Sequence, residues 1–257
     1  MKETVHIIMP MAGEGSRFKE KGYEVPKPLI KLNDKELFRH SLDSLKDLED
    51  YFNVKYTFIV RGEFITDYHI DETILTYYPN ANILSVDKTT KGALETVMIA
   101  EDYIQDTEYV IIIDCDLEFK SSTFIDILIS EIEDDNSCLL SFYSKDPKYS
   151  YVAVNSAMQA VNVAEKEKIS THALGGCYCI GDGKLFKKCA KIYIYDFYRG
   201  KINSPEIYIS LIYNYIINEI DNDVYVYDMN FHNDHYWSYG TPDDLEYYNY
   251  EHNIWDK

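Results

Sequence analysis

The chain has 257 residues, and 46% of them are hydrophobic, enough for one domain with a sizeable core. A formal net charge of −19 argues against a nucleic-acid partner, because such binding is driven by Lys and Arg neutralising phosphates. No apolar run approaches membrane-spanning length, residues 1–4 lack the regions of a secretory signal, and five cysteines without paired Cys-x-x-Cys knuckles indicate neither a disulfide frame nor a zinc site. The expectation is a cytoplasmic protein with no membrane partner.

Residues 5–9 form an apolar run long enough for one buried strand. Met11-Ala12-Gly13-Glu14-Gly15-Ser16-Arg17-Phe18 follows at once. Two glycines around one residue let the backbone turn sharply and expose N–H groups as a cradle for phosphate oxygens, and Arg17 adds a planar, permanently charged fork. The run lacks the third glycine of the dinucleotide fingerprint and the Gly-Lys-Ser/Thr ending of a P-loop. In Pro26-Lys27-Pro28-Leu29 two prolines fix the backbone on either side of Lys27.

Residues 35–48 carry Leu37, Phe38, Ser41, Leu42, Leu45 and Leu48 at helical spacing and read as a first crossover helix. Strands are expected at 56–60 and 82–86, with a helix at 63–77 between them, broken by Pro79-Asn80. A helix beginning at Gly92 runs to 104, and 109–113 is an apolar, β-branched strand buried on both faces. This alternation predicts a parallel sheet with helices on both faces, and ligands in such sheets bind at the carboxyl ends of the strands. The strand at 109–113 ends in Asp114-Cys115-Asp116. Two carboxylates leaving a buried strand are costly unless solvated or holding a metal, and hard oxygen donors suit Mg²⁺.

A helix at 121–134 is capped by Ser121 or Ser122, and 138–143 is a strand. From 149 to 163 short alternating runs with a turn at Asn155-Ser156 predict a hairpin, and so a more antiparallel second half. Residues 174–180, which include Gly175 and Gly176, read as a glycine turn or a strand in close approach to other backbone, with Cys177 and Cys179 as small core residues. Ser204-Pro205-Glu206 reads as a helix start, 223–228 as a strand, and Thr241-Pro242 as a helix N-cap followed by its first residue.

The constellation of strand, Gly-x-Gly-Ser-Arg-Phe and Pro-Lys-Pro-Leu resembles the signature of the sugar-phosphate nucleotidyltransferases (pyrophosphorylases). Met-Pro-Met-Ala-Gly is similar to the wording of their capsular polysaccharide branch. The resemblance implies one domain over 1–257, with a nucleotide-binding half (1–145) and an acceptor-binding half (146–257). Its architecture would be Rossmann-like (GT-A-like) α/β: a mostly parallel sheet, helices on both faces, and a mixed antiparallel C-terminal half. It further implies that Met11, Ala12, Gly13, Gly15 and Ser16 bind a nucleoside triphosphate, with Gly92 and Ala93 near the base. Arg17 and Lys27 would be the catalytic cations.

Asp116 matches the family's Mg²⁺ ligand. Glu165, Lys166, Gly176, Glu206 and Tyr208 match segments that line the acceptor pocket, although Glu167 replaces the proline of the family's Glu-Lys-Pro. The matching segments run from residue 5 to about 250, which leaves no room for the left-handed β-helix that some relatives append. The implied partners are a nucleoside triphosphate and a small phosphorylated acceptor, and a homodimer is an open assembly. Many relatives carry a second metal-binding aspartate two residues before the glycine of Gly-Thr-Pro, where this chain has Ser238. Asp114, Asp234 and His235 are the candidate substitutes. Asp234 is favoured as a hard oxygen donor in the polar run 232–235. The alternative to a nucleotidyltransferase is a GT-A glycosyltransferase that uses Asp114-Cys115-Asp116 as its metal motif. Arg17 and Lys27 weigh against it, because they suit a triphosphate.

Overall fold

The computed structural model describes residues 3–220, 223–232 and 234–255. Its strands in the first half are β1 (Thr4–Met11), β2 (Lys31–Leu32), β3 (Lys35–Glu36), β4 (Asn53–Arg61), β5 (Asn82–Val86), β6 (Tyr109–Ile113) and β7 (Leu117–Lys120). The second half adds β8 (Ser137–Tyr143), β9 (Ser150–Val154), β10 (Ala160–Glu165), β11 (His172–Ile180), β12 (Val224–Asp228) and β13 (His235–Ser238).

One large sheet has the order β10-β9-β11-β6-β1-β4-β5, with β8 on the other side of β11 and β12 beside β8. β6, β1, β4 and β5 are mutually parallel, and so are β8 and β12. β11 runs antiparallel to β6 and β8, and β9–β10 is an antiparallel hairpin. The fold is therefore the expected α/β class, a mostly parallel sheet with antiparallel strands in its C-terminal half.

Strand alternation sends β1 into two cores. Val5, Ile7 and Met9 join Ile111 and Ile113 in one, together with Phe38 and Leu42 and with Phe124 and Leu128 of the helix Ser122–Glu133. Ile8 joins Val110 and Ile112 in the other, under Leu94 and Val97 and under Phe186, Cys189 and Tyr193 of the helix Gly183–Tyr198. A third, smaller core gathers Phe18, Ile30, Leu32, Leu37, Tyr239, Leu245 and Tyr248. It binds the stretch after the glycine loop and the stretch after Lys27 to the helix Pro242–Trp255. All five cysteines are free and buried, Cys177 and Cys179 among them. Among the described residues, no helix is long and apolar enough to cross a membrane.

Several elements differ from expectation. The 63–77 helix is two, Gly62–Tyr68 and Ile70–Tyr77, separated by His69 in the left-handed region at φ 51°. The 35–48 segment opens with strand residues, and its helices are Leu37–Asp43 and Leu48–Tyr51. Residues 204–210 are not helical; the helix starts only at Ile212. There the backbone of Ile207 bonds to another loop instead, its N–H to Lys91 O (2.9 Å) and its carbonyl to Leu94 N (3.1 Å).

Candidate active site

The site exists because β11 parts from β6. Residues 177–180 of β11 pair with β6, whereas His172 and Ala173 pair with β9. The divergence falls at Gly176, whose φ of +69° favours glycine and whose added Cβ would lie 2.7 Å from Asp114 Oδ2. Gly176 O accepts from Asp114 N at 2.9 Å, so the turn and the acidic segment are joined. Two adjoining cavities, about 590 and 550 Å³, open above the carboxyl ends of β1 and β6. Lys27, Ala93 and Asp114 line both.

The smaller cavity is walled by Met11, Ala12, Gly13, Glu14 and Gly15 on one side and by Thr89, Thr90, Lys91 and Gly92 on the other. Gly15, at φ +64°, turns the chain into the short helix Ser16–Glu20, which Phe18 anchors in the third core. Ser16 begins that helix and lines neither cavity. Thr89 Oγ1 donates to Glu14 Oε1 at 2.8 Å, linking the two walls. At Gly92 an added Cβ would lie 2.4 Å from Ile207 O, so only glycine lets the 205–209 segment press onto this loop. That contact puts Glu206 in the glycine-loop cavity and not in the larger one with Tyr208. The division at residue 145 is therefore not a division of the cavities, since each draws on both parts of the chain.

The larger cavity holds Arg17, Asp116, Lys148, Glu165, Lys166, Gly176 and Tyr208. Arg17 is exposed and, among the described residues, makes no ion pair. Lys27 Nζ donates to Asp116 Oδ2 at 2.7 Å. Burial opposes the charge of Lys27, but its acidic neighbours, Asp116 foremost and Asp114 with it, together outweigh burial and raise the ammonium pKa overall. Asp114 moves the other way from a usual carboxylate: burial, then the like charge of Asp116, push it up to about 7. Glu165 is also raised by burial, against hydrogen bonds from Ser150 and from Ser210 (2.9 Å). Lys166, at φ 54°, donates to Tyr208 OH at 2.9 Å.

Lys148 and Ser150 were not singled out from the sequence, whereas Ser210 and Asp244 belong to segments that match the family's Glu-x-Tyr-x-Ser and Gly-Thr-Pro-x-Asp-Leu. Lys148 Nζ lies 3.0 Å from Asp244 Oδ1, and Thr241 Oγ1 donates to Asp244 Oδ2 at 2.7 Å.

The favoured second metal ligand is not brought to this place. In the β7–β13 ribbon Ser238 is opposite Leu117 and His235 is opposite Lys120, so Asp234 lies at the end remote from Asp116. Its carboxylate accepts from Ser121 Oγ at 2.6 Å and from Tyr227 OH. Asn233 of the same run lies outside the described residues. Of the three candidate substitutes, Asp114 is the one that lines the cavity with Asp116, and Ser238 lines it too. Among the described residues, no three His, Cys, Asp or Glu side chains could hold a metal by themselves. Two carboxylates fit Mg²⁺, which draws its remaining oxygens from water and substrate phosphates.

The fold has relatives among solved structures. The nucleoside-diphosphate-sugar pyrophosphorylase from Vibrio cholerae RC9 is 23% identical, with a TM-score of 0.77 over 93% of this chain and 98% of its own. The inositol-1-phosphate CTP transferase from T. maritima is 16% identical, with a TM-score of 0.71 over 98% of this chain and 96% of its own. At these identities the likeness concerns the fold. No curated protein sequence matches the chain. The profile of the MobA-like NTP transferase domain does match, over residues 7–174, and the chain belongs to that family.

Proposed function

We propose that this nucleotidyltransferase moves a nucleotidyl group from a nucleoside triphosphate to a small phosphorylated acceptor and releases pyrophosphate, with Mg²⁺ as cofactor. The observation that carries the reading is the meeting of two cavities at Lys27 and Asp114: a glycine-loop cavity suited to a nucleotide, and a second cavity that carries Arg17, Lys148 and Lys166. An acceptor phosphate oxygen attacks the α-phosphorus, and pyrophosphate leaves on the opposite side. The acceleration comes from placing two repelling anions together and offsetting their charge. The N–H groups of the glycine loop and Arg17 hold the leaving phosphates, Lys27 lies between donor and acceptor phosphates, and Lys166 holds the acceptor phosphate. Asp116 and Asp114 would hold Mg²⁺, which supplies Lewis-acid polarisation of the phosphate when bound.

CTP is the donor we favour, since single-domain relatives of this length include cytidylyltransferases for small phosphates; a CTP transferase is also among the folds it resembles. Sugar phosphates, phosphocholine and phosphoglutamine are the acceptors to try, with a capsule precursor as product. The test incubates purified protein with Mg²⁺, each of four triphosphates and this acceptor panel, and measures pyrophosphate. Release that needs both substrates supports the reading. Hydrolysis of a nucleotide sugar with no release from any triphosphate would replace it with the glycosyltransferase reading.

A further inference from the structure

The lysine segment and the acidic segment reach the site from different parts of the chain, yet both are fastened to one helix, Leu37–Asp43. Ser41 Oγ donates to Leu117 O at 2.8 Å, and Ser44 Oγ, just past the helix, accepts from Phe119 N at 2.9 Å. His40 spans the two segments. One ring nitrogen lies 2.9 Å from the carbonyl of Leu32, five residues beyond Lys27, and the other lies 2.9 Å from Oε2 of Glu118, two residues beyond Asp116. Tyr239 OH donates to the same Glu118 oxygen at 2.8 Å, and Tyr239 N donates to Asp116 O at 2.6 Å. His40, Glu118 and Tyr239 are all buried.

A carbonyl and a carboxylate only accept, so the ring of His40 and the hydroxyl of Tyr239 are the groups with protons to give, and the cluster links both segments through side chains that have few other partners to choose from. Apolar side chains of similar volume would stabilise the fold at least as well as a buried charged set. What the polar set adds is direction: it fixes where two backbones stand relative to each other. We infer that His40, Glu118 and Tyr239 are positioning residues, holding the Lys27 segment and the Asp116 segment in register so that the lysine and carboxylate meet where the two cavities join. The kinetic part of this inference rests on the proposed nucleotidyl transfer; the geometric part does not.

The test uses Tyr239→Phe, which deletes one oxygen and keeps the ring, together with Glu118→Gln, His40→Gln and the Tyr239→Phe/Glu118→Gln pair. Pyrophosphate release gives kcat and the triphosphate KM, and crystal structures of the variants give the separation of Lys27 Nζ and Asp116. A displacement of about 1 Å at a reacting centre costs on the order of 100-fold in rate. Each single variant is expected to lower kcat at least about tenfold with KM within about twofold, and the pair is expected to be no worse than Glu118→Gln alone, as for groups that act as a unit. Lys27 is expected to have left hydrogen-bond distance of Asp116. Folded Tyr239→Phe and Glu118→Gln enzymes with wild-type kcat would overturn the inference, and so would a Lys27–Asp116 contact that persists in their structures. If the wild type releases no pyrophosphate with any substrate pair, the function reading fails, and the crystallographic comparison alone decides the positioning.

Discussion

Replacing Gly92 by alanine tests the junction between the two cavities. Its φ of +156° with ψ of 173° belongs to a region that is essentially reserved for glycine, so any side chain costs about 1–3 kcal/mol in backbone strain. The new Cβ would also meet Ile207 O, N and C at 2.4, 2.5 and 2.7 Å. Ordinary contact begins near 3.4 Å, so the Ile207 backbone must retreat by about 1 Å. That retreat lengthens both bonds that hold it, from Ile207 N to Lys91 O and from Leu94 N to Ile207 O. Each contributes about 0.5–1.5 kcal/mol. The combined loss is roughly 2–6 kcal/mol, which lowers the Tm by about 5–20 °C for a chain of this size. The retreating segment carries Glu206 in one cavity and Tyr208, Ile209 and Ser210 in the other, so both substrate KM values rise. Thermal melts followed by circular dichroism and steady-state pyrophosphate release measure the two effects. A Gly92→Ala protein with a wild-type Tm and both KM values unchanged would refute the close approach.

Lys27→Ala is expected to fold and to lose about 10²–10³-fold in kcat, and Lys27→Arg is not expected to restore it, because the guanidinium is larger and forked; near-normal turnover of the alanine variant in the pyrophosphate assay would remove Lys27 from the chemistry. Asp116→Asn is expected to raise the Mg²⁺ concentration for half-maximal activity at least about tenfold. Asp234→Asn leaves that requirement unchanged, since its carboxylate is tied to Ser121 and Tyr227, and a raised requirement would bring it back to the metal. The Asp114 carboxyl, raised from 3.8 to about 7, keeps its proton in the folded state after the unfolded chain has released it. The metal-free protein therefore loses stability as pH rises from about 4 to about 7 and then levels, and Asp114→Asn removes that decline. Urea midpoints across this range measure it, and an identical decline in the variant would assign it to another group.

The elements read well from sequence are those whose signal is local. The strands at 82–86 and 109–113 have the expected bounds, because apolar runs between turn residues leave little choice. Ser121 caps its helix through Phe124 N at 2.8 Å, as a serine before an apolar stretch suggests. The helix Gly183–Tyr198 was not identified, although Phe186, Cys189, Ala190 and Tyr193 at helical spacing and Asp182 as N-cap announce it. Residues 204–210 carried a helix-start signal and form an irregular loop, because backbone bonds to Lys91 and Leu94 outweigh a weak local preference. Lys148 had no readable signal: its partner Asp244 is 96 residues away, and nothing between them marks the pair. Asp234 shows the limit from the other side. Its sequence neighbourhood is polar and close to Gly-Thr-Pro, but the ribbon register, which sequence does not reveal, carries it away from Asp116.

The third core has a consequence for how the protein comes into being on the ribosome. Phe18, Ile30, Leu32 and Leu37 emerge from the ribosome about 200 residues ahead of the aromatic rings that cover them, Tyr239 and Tyr248. The parallel strands from β1 to β6 can assemble before then, while the stretch that bears Lys27 stays partly uncovered. Tyr239 also supplies the N–H that grips the carbonyl of Asp116. Until Tyr239 and the helix Pro242–Trp255 have been made, a nascent chain can hold its parallel strands while the Lys27 and Asp116 segments lack the contacts that set them.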